Sequence, residues 1–276
     1  MLGKIVMAIW EYKDQSREAI IEVFYHLSCI YCNGEFDNIE QEASEDDYLG
    51  VFPSSKNINV CKVCGWWRVF QAFALVEEFD WHQSIGGAVG SLRELNLSDI
   101  AVPLDEVRAF LAAKYEARFS IHPRLFEETV ASVFSDLGYA VDVTAYSNDG
   151  GIDVILTQNG TDFIGVQVKR YAEKIEAEQI RALTGALIIN GFTKGVFVTT
   201  SRFSKGAYKT AGLAYQRGIP IELIDAPKFY EALGIAQRAS HTGGIEYKPW
   251  SSAILKSIST YSTDPTYSTT DDANQE

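Results

Sequence analysis

The sequence predicts an α/β fold for the region after residue 120, with a β-sheet that carries helices on its faces. Helix-like and strand-like patterns alternate there, from "HPRLFEETVASVFSDLGY" to "GIPIELID". The strand segments are short and apolar, which is typical of strands buried in such a sheet. A third observation, two Cys-x2-Cys pairs, predicts a separate metal-binding module near the N-terminus.

Length and composition indicate a globular protein. The chain has 276 residues, and 46% of them are hydrophobic, which is enough to form the core of one large domain or two ordinary ones. It contains no uninterrupted run of about 18 apolar residues, and "MLGKIVMAIWEYKDQ" has no small-residue cleavage site. We therefore expect a cytoplasmic protein that does not associate with membranes.

The charge of the chain is strongly uneven. The formal net charge is -13, which argues against a protein that coats nucleic acid through bulk electrostatics. Residues 1–120 contain 10 Lys and Arg against 19 Asp and Glu, whereas residues 121–226 contain 10 against 12. This imbalance predicts that the N-terminal region regulates or selects what the rest of the chain binds, and it leaves open a regulatory protein partner.

Four cysteines are spaced as in a zinc site. Cys29 and Cys32 form the first Cys-x2-Cys pair, and Cys61 and Cys64 form the second, followed by Gly65. Two such pairs in a cytoplasmic chain predict one tetrahedral Zn2+ with a structural role, since a small module with few apolar residues needs the ion to fold. Two disulfides are the alternative, which the missing secretory signal disfavours.

The patterns divide the chain into four segments. Residues 1–70 form the predicted four-cysteine zinc module, and residues 71–119 form a helical connector that includes "VPLDEVRAFLAAKYEARF". Residues 120–235 form the α/β domain. Residues 236–276 form a Ser/Thr-rich tail that is predicted to be disordered.

Within the α/β domain, "DGGIDVILTQNGTDFIGVQVKRY" predicts a β-hairpin with one polar face. Alternation along the second strand places Gln167 and Lys169 on the face opposite Val166 and Val168. A two-residue turn would put Asp153 opposite Val166, on the wrong face to meet Gln167. An odd-length loop or a bulge is therefore required, and residues 159–161 can form a three-residue loop with positive φ at Gly160 or a neighbour.

Several segments of this region together resemble the Mrr-type catalytic domain of the PD-(D/E)xK nuclease superfamily. They are "HPRLFEETVASVFSDLGYAVDVT", "DGGIDVIL", "VQVKRY", "LTGAL" and "GVFVTTSRFSKGA", in that order. The resemblance covers about residues 120–235 and says nothing of residues 1–119. It implies a restriction-endonuclease-like mixed sheet flanked by helices and an endonuclease that acts on DNA in restriction or in defence against foreign or modified DNA.

The resemblance also implies which residues are catalytic. Glu127 matches the acid of the first helix, Asp153 the metal-binding aspartate, and Gln167 and Lys169 the first and last residues of the (D/E)xK element. Gln167 stands where the superfamily usually has an acid, as it does in the Mrr-type group. Taken alone, Glu127 fits a solvent-exposed helix glutamate better than a site residue.

Phosphodiester hydrolysis suits these residue types. The reaction needs a hard cation, a positioned water and a group that balances phosphate charge. Mg2+ can take oxygen ligands from Asp153, the Gln167 amide and the Val168 carbonyl, with Glu127 reaching it directly or through water. Lys169 is then expected to hold the attacking water. An ordinary Asp153–Lys169 ion pair is the alternative interpretation.

DNA is the expected partner. Residues predicted to contact phosphates are Arg170, Tyr171 and Lys205, with Lys174 and Lys209 nearby. The sequence leaves a homodimer open. A second hypothesis is a catalytically inactive adaptor that depends on zinc and binds nucleic acid or protein, and the presence of Asp153 and Lys169 argues against it.

Overall fold

The computed structural model describes residues 9–41, 51–52, 56–77, 80–144, 150–158, 160, 162–240 and 249–262. The helices are α1 (Arg17–Phe24), α2 (Leu104–Ala113), α3 (Pro123–Asp136), α4 (Ala177–Ile189), α5 (Lys205–Gln216) and α6 (Ala226–Ser240). The strands are β1 (Trp10–Tyr12), β2 (Phe36–Gln41), β3 (Val51–Phe52), β4 (Lys56–Cys61), β5 (Trp67–Glu77), β6 (Asp80–Leu92), β7 (Ala140–Val143), β8 (Val154–Gln158), β9 (Asp162–Lys169), β10 (Lys194–Thr199), β11 (Ile221–Ile224) and β12 (Lys256–Ser262). Short 3-10 helices span Tyr115–Phe119 and Pro249–Ser252.

The chain divides into two compact units. The first comprises Met1–Glu94 with Ile245–Glu276, and the second comprises Leu95–Gly244. The assignment of functions to the four predicted segments stays a prediction. No helix in the described ranges is both long enough and apolar enough to span a membrane.

The first unit is built on an antiparallel sheet of seven strands. Its order is β1-β6-β5-β4-β2, with β12 also paired to β6 and β3 paired to β5. Trp66 and Trp67 are buried in this unit, so they pack inside it instead of forming a contact surface. Arg68 is also buried, where its Nη1 donates to the Val23 and Phe24 carbonyls at the end of α1.

The predicted helical connector is wrong for residues 71–77 and 80–92. These residues belong to β5 and β6, which pair from Arg68↔Val89 to Glu77↔Asp80 as one long hairpin. Apolar residues follow one another without a clear period in "VFQAFALV", and such a run fits a strand as well as a helix. The helical prediction is confirmed for α2 and for the 3-10 helix Tyr115–Phe119.

The prediction of a disordered tail is wrong for residues 236–240, which belong to α6, and for residues 249–262. Trp250 is buried, with its ring 6.3 Å from that of Trp67, and β12 pairs with β6 around the buried Ile258. Arg17 further donates to the Ile258 carbonyl at 2.9 Å. A few apolar residues within a polar stretch are thus enough to complete the sheet, while residues 263–276 lie outside the described part.

The second unit confirms the predicted α/β fold, a mixed sheet flanked by helices. The strand order is β11-β10-β9-β8-β7, in which β9, β10 and β11 are parallel and β7, β8 and β9 are antiparallel. Helices α4 and α5 cover one face, in a core that includes Leu183, Leu187, Phe197 and Ala211. Helices α3 and α6 pack against the sheet and each other, with the rings of Phe126 and Phe229 5.4 Å apart.

Helix α3 begins and ends as the sequence predicts. Pro123 occupies its first turn, after His122, whose Nδ1 accepts the Arg124 N–H at 3.2 Å. Gly138 follows the helix with φ +95, a conformation that favours glycine. Phe126, Val130 and Val133, which recur at helical spacing, are buried, whereas Leu137 is exposed.

Candidate functional site

The hairpin formed by β8 and β9 has the predicted register. Gln158 pairs with Asp162 and Val154 pairs with Val166, so the loop consists of residues 159–161. Gly160 has φ +75, while residues 159 and 161 lie outside the described part. The three-residue loop is therefore confirmed, and the paired register ends with Val154 opposite Val166.

Asp153 is held by the backbone of the neighbouring strand. It lies directly before β8 and is only 5% exposed. Its backbone N–H donates to the Val166 carbonyl at 2.8 Å, and its Oδ2 accepts the Val168 N–H at 2.6 Å. The carboxylate thus takes the place of a ladder partner where the pairing of β8 with β9 ends.

The same arrangement orients the Val168 carbonyl. The N–H and C=O groups of one strand residue point to the same neighbouring strand. Because the Val168 N–H points toward Asp153, its carbonyl also points to that side of β9. A carboxylate oxygen and a carbonyl oxygen are ligand types that Mg2+ prefers.

Gln167 lies close to the glycine pair that precedes Asp153. It is 8% exposed, and its Nε2 is 3.8 Å from the position that a Cβ on Gly151 would occupy. Gly150 and Gly151 have φ +63 and +86, so both use backbone conformations that side chains disfavour. The glycines allow the chain to turn into β8 beside the Gln167 amide.

Glu127 belongs to the same electrostatic group, although it comes from α3. Its side chain is 16% exposed and lies 3.3 Å from the guanidinium of Arg124. Burial and the charge of Asp153 raise the pKa of Glu127, whereas Arg124 and Lys169 lower it. These opposing effects require Asp153 and Lys169 to lie near Glu127, and the partial burial disfavours an ordinary surface glutamate.

Lys169 has a fixed backbone and a partly exposed side chain. Its carbonyl accepts the Thr199 hydroxyl at 2.9 Å and the Thr200 N–H at 3.2 Å. Within the described residues, the ion pairs do not include Lys169. Its ammonium is therefore available to a ligand at this edge of the sheet.

Hydroxyl groups at the end of β10 form hydrogen bonds to the end of β9 and the segment that follows it. Thr199, Thr200 and Ser201 donate to the carbonyls of Lys169, Tyr171 and Ala172 respectively. Ser204 instead caps α5, where its Oγ accepts the Ala207 N–H at 3.2 Å. The hydroxyls of Thr199, Thr200 and Ser201 thus hold the strand end that carries Lys169.

The predicted phosphate-contact residues lie beyond this edge. Tyr171 and Lys205 are exposed, and the bridge between Ile175 and Phe203 brings their two segments side by side. Arg170 is partly committed within the unit, since its Nη1 donates to the Phe119 carbonyl at 2.6 Å. A role for all three in DNA binding stays a prediction.

The four cysteines lie together in the first unit. Their sulfur atoms all lie within 4.8 Å of one another, with Cys32 3.3 Å from Cys61 and 3.5 Å from Cys64. A tetrahedral ion with metal–sulfur bonds of about 2.3 Å places its sulfurs about 3.8 Å apart. The cluster therefore has the size and ligand type of a tetrahedral metal site, and it is free of disulfides.

The loops around the cysteines leave little room beside the sulfurs. A Cβ on Gly34 would lie 2.9 Å from the Cys61 Sγ and 3.2 Å from the Cys32 Sγ. Hydrogen bonds from the neighbouring thiols, that of Cys29 first, lower the pKa of Cys61, while burial raises that of Cys64. Four thiolates in this space need a cation to offset their mutual repulsion.

Comparison with known proteins agrees with the geometry of the second unit. Residues 119–233 match the family model Mrr_cat, described as a restriction endonuclease. The predicted resemblance to the Mrr-type catalytic domain is confirmed for residues 119–233. The match begins just before α3 and ends within α6, so it includes all four predicted catalytic residues.

Two curated relatives match part of the chain. The Type IV methyl-directed restriction enzyme EcoKMrr of Escherichia coli (strain K12) is 31% identical over 112 residues, which cover 38% of this chain and 37% of that enzyme. The uncharacterized protein y4cE of Sinorhizobium fredii (strain NBRC 101917 / NGR234) is 31% identical over 91 residues, which cover 31% of this chain and 23% of that protein. The chain thus spans well under half the length of these relatives.

A solved structure, the DNA modification-dependent restriction endonuclease AspBHI, is similar at a TM-score of 0.33. The sequence identity is 22%, and the match covers 42% of this chain and 32% of that one.

Sequence reasoning missed two residues that surround the acids. Arg124 contacts Glu127, and Thr144 contacts the backbone of Asp153. The spacing of Arg124 and Glu127 in the first turns of a helix is an i,i+3 pair that the sequence could have revealed. The Thr144 contact has no such signal, because it joins side chain to backbone across nine residues.

Proposed function

We propose that the chain is a Mg2+-dependent DNA endonuclease that hydrolyses phosphodiester bonds in restriction or in defence against foreign or modified DNA. The observation that carries the proposal is the hydrogen bond from the Val168 N–H to the Asp153 carboxylate, which joins Asp153 to the strand of Gln167 and Lys169 inside a segment that matches an Mrr-type catalytic domain. The name of one similar protein, a methyl-directed restriction enzyme, favours modified DNA as the substrate.

The residues present suit Mg2+. Asp153 offers a buried carboxylate, Gln167 an amide, Val168 a carbonyl on the same side of β9, and Glu127 a second carboxylate nearby. All are oxygen donors of the kind that Mg2+ takes. When bound, the ion would stabilise the charge that develops on the scissile phosphate.

Lys169 is the proposed group that acts on the attacking water. Its ammonium can hold a water or a phosphate oxygen at the edge where the Val168 N–H meets the Asp153 carboxylate. The water adds to phosphorus, the bond to the leaving oxygen breaks, and the leaving oxygen takes a proton. Glu127, whose pKa is raised by burial, can accept the proton that the water loses.

Phosphate contacts outside the reacting bond are assigned to Arg170, Tyr171 and Lys205. Tyr171 and Lys205 are exposed on adjacent segments, so they can follow the DNA backbone next to Lys169. These contacts would fix the position of the duplex and carry little sequence information.

Zn2+ is the ion proposed for the four cysteines, in a structural role. Thiolates at four corners are the usual ligand set of structural zinc. Tyr31 lies between Cys29 and Cys32 in the chain, and its ring packs against those of Trp10 and Trp66, so the ion would hold the core of the first unit together. The acidic N-terminal region is proposed to select the DNA or to bind a regulatory protein.

Plasmid cleavage tests the proposal. Purified protein is incubated with plasmids of differing methylation, with and without Mg2+, beside the variants Asp153→Asn and Lys169→Met. Lys194→Met is the matched control, because Lys194 is an exposed lysine at the opposite end of neighbouring β10. We expect Mg2+-dependent cleavage by the parent and the control alone. Cleavage that survives both site substitutions would refute the assignment, and absence of cleavage on every plasmid would favour the inactive adaptor.

A further inference from the structure

Arg124 connects the two acids of the proposed metal site, and this contact suggests a role for it. We propose that Arg124 is a positioning residue, which holds Glu127 and the segment carrying Asp153 in the arrangement that binds the metal ion. This inference rests on the proposed function, since it concerns the same site.

The guanidinium of Arg124 contacts both sides of the site. Its Nη1 lies 3.3 Å from the Glu127 Oε2 and 2.8 Å from the Thr144 carbonyl oxygen. Its Nε lies 3.1 Å from the Glu128 Oε1. Only 22% of the side chain is exposed, so these contacts are shielded from competing water. One side chain of α3 is therefore tied to the end of β7.

Thr144 continues the connection to Asp153. Its backbone N–H donates to the Asp153 carbonyl at 3.0 Å. Its hydroxyl lies 2.8 Å from the Ile152 carbonyl and 3.0 Å from that of Asp153. Since the Asp153 carboxylate is fixed in turn by the Val168 N–H, a continuous series of polar contacts runs from Glu127 to β9.

The two acids need such a connection because they come from different elements and repel each other. Glu127 sits on a helix, its side chain has several rotatable bonds, and the charge of Asp153 acts against it. A planar guanidinium can bind a carboxylate and a carbonyl at once in a fixed geometry, which an ammonium on a flexible stem does poorly. Residues that orient metal ligands commonly change metal affinity by about 10-fold to 100-fold when they are replaced.

The test measures Mn2+ binding in the absence of DNA, by electron paramagnetic resonance of the free ion. Arg124→Lys keeps the positive charge and loses the planar guanidinium that binds two oxygen atoms at once. The variant therefore separates the effect of contact geometry on metal binding from the repulsion between residue 124 and the metal ion. We expect Arg124→Lys to weaken binding about tenfold. Cleavage by this variant should recover at high Mn2+, which a variant damaged only in its fold would not show.

The controls separate this inference from the proposed function. Arg181→Lys alters a similar i,i+3 pair, with Glu178 at 2.7 Å on the exposed side of α4, and should bind Mn2+ as the parent does. Asp153→Asn defines the binding that belongs to the site. A parent without Asp153-dependent Mn2+ binding overturns both proposals. An Arg124→Lys variant that binds Mn2+ as tightly as the parent overturns the role of Arg124 alone.

Discussion

Replacement of Asp153 tests the hydrogen bond that fixes its carboxylate. The Oδ2 atom accepts the Val168 N–H at 2.6 Å, and both residues are buried. Asp153→Ala leaves this N–H buried without its partner, which costs about 1–3 kcal/mol. Asp153→Asn keeps an oxygen in place and loses only the difference between a charged and a neutral bond, about 1 kcal/mol. Relief of the repulsion with Glu127 offsets part of that loss.

We therefore expect Asp153→Ala to be less stable than Asp153→Asn by about 1–2 kcal/mol. Both variants should fail to cleave DNA, since neither carries the carboxylate. The stability difference and the loss of cleavage are independent, because the first depends on the hydrogen bond and the second on the charge.

The distribution of tryptophan gives a specific assay. All five tryptophans, at positions 10, 66, 67, 81 and 250, belong to the first unit, whereas α2 to α6 belong to the second. In a urea titration without Mg2+, helical circular dichroism follows mainly the second unit and tryptophan fluorescence follows the first. The Asp153 variants should shift the circular dichroism transition and leave the fluorescence transition in place.

Equal destabilisation by the two substitutions would refute the hydrogen bond to Val168. Cleavage by Asp153→Asn at the parental rate would refute the metal-binding role of the carboxylate. A shift of the fluorescence transition alone would contradict the placement of Asp153 in the second unit.

Three further predictions concern other residues. Lys169→Met should abolish cleavage and retain DNA binding measured by fluorescence anisotropy, whereas Gln167→Glu should retain metal-dependent cleavage; loss of DNA binding by Lys169→Met would point to misfolding instead. Gly34→Ala places a Cβ 2.9 Å from the nearest cysteine sulfur, so metal analysis should find less than the one zinc per chain of the parent, while Gly212→Ala, at an open helix position, should keep its zinc. Burial raises the pKa of Asp105, so its ionised form opposes folding. Asp105→Asn should therefore gain stability over the parent as the pH rises through the pKa of that carboxyl, with no gain in melts at lower pH.

The parts of the site that depend on chain periodicity could be predicted from the sequence. The alternation in β9 shows which residues share a face with Gln167, and the odd loop follows because Asp153 must meet that face. The cysteine cluster follows from its spacing, since two Cys-x2-Cys pairs have few other uses in a reduced compartment. In both cases the spacing of residues along the chain is enough for the prediction.

The parts that depend on distant pairing could not be predicted in the same way. Residues 71–77 and 80–92 become strands because β5 and β6 pair from Arg68↔Val89 to Glu77↔Asp80, and Gly87 and Gly90 lie in close contact with Ile20 and Trp67. Strand β12 forms because it pairs with β6 and buries Ile258, although the surrounding sequence is polar. Such pairings overrule local propensity, and the partner strand cannot be recognised in one segment alone.

The polar contacts around Glu127 also include one that local sequence predicts and one that depends on a distant residue. Arg124 is visible in the sequence as a neighbour of Glu127 on the helix, but its second contact is a backbone carbonyl 20 residues away. Every residue has such a carbonyl, so the side-chain sequence does not identify the one that will accept the bond. Residues that support a site are for this reason harder to predict than residues that act in it.

The charges around Glu127 suggest why glutamine suits position 167. Two carboxylates, Glu127 and Asp153, act on each other together with two cations, Arg124 and Lys169, so this group is close to neutral before a metal ion binds. A third carboxylate at residue 167, which is buried, would add repulsion where little water can reduce it. Glutamine would keep an oxygen ligand in the proposed metal site without that charge. Metal affinity would be lower than with a carboxylate at this position, and the site would repel a DNA phosphate less.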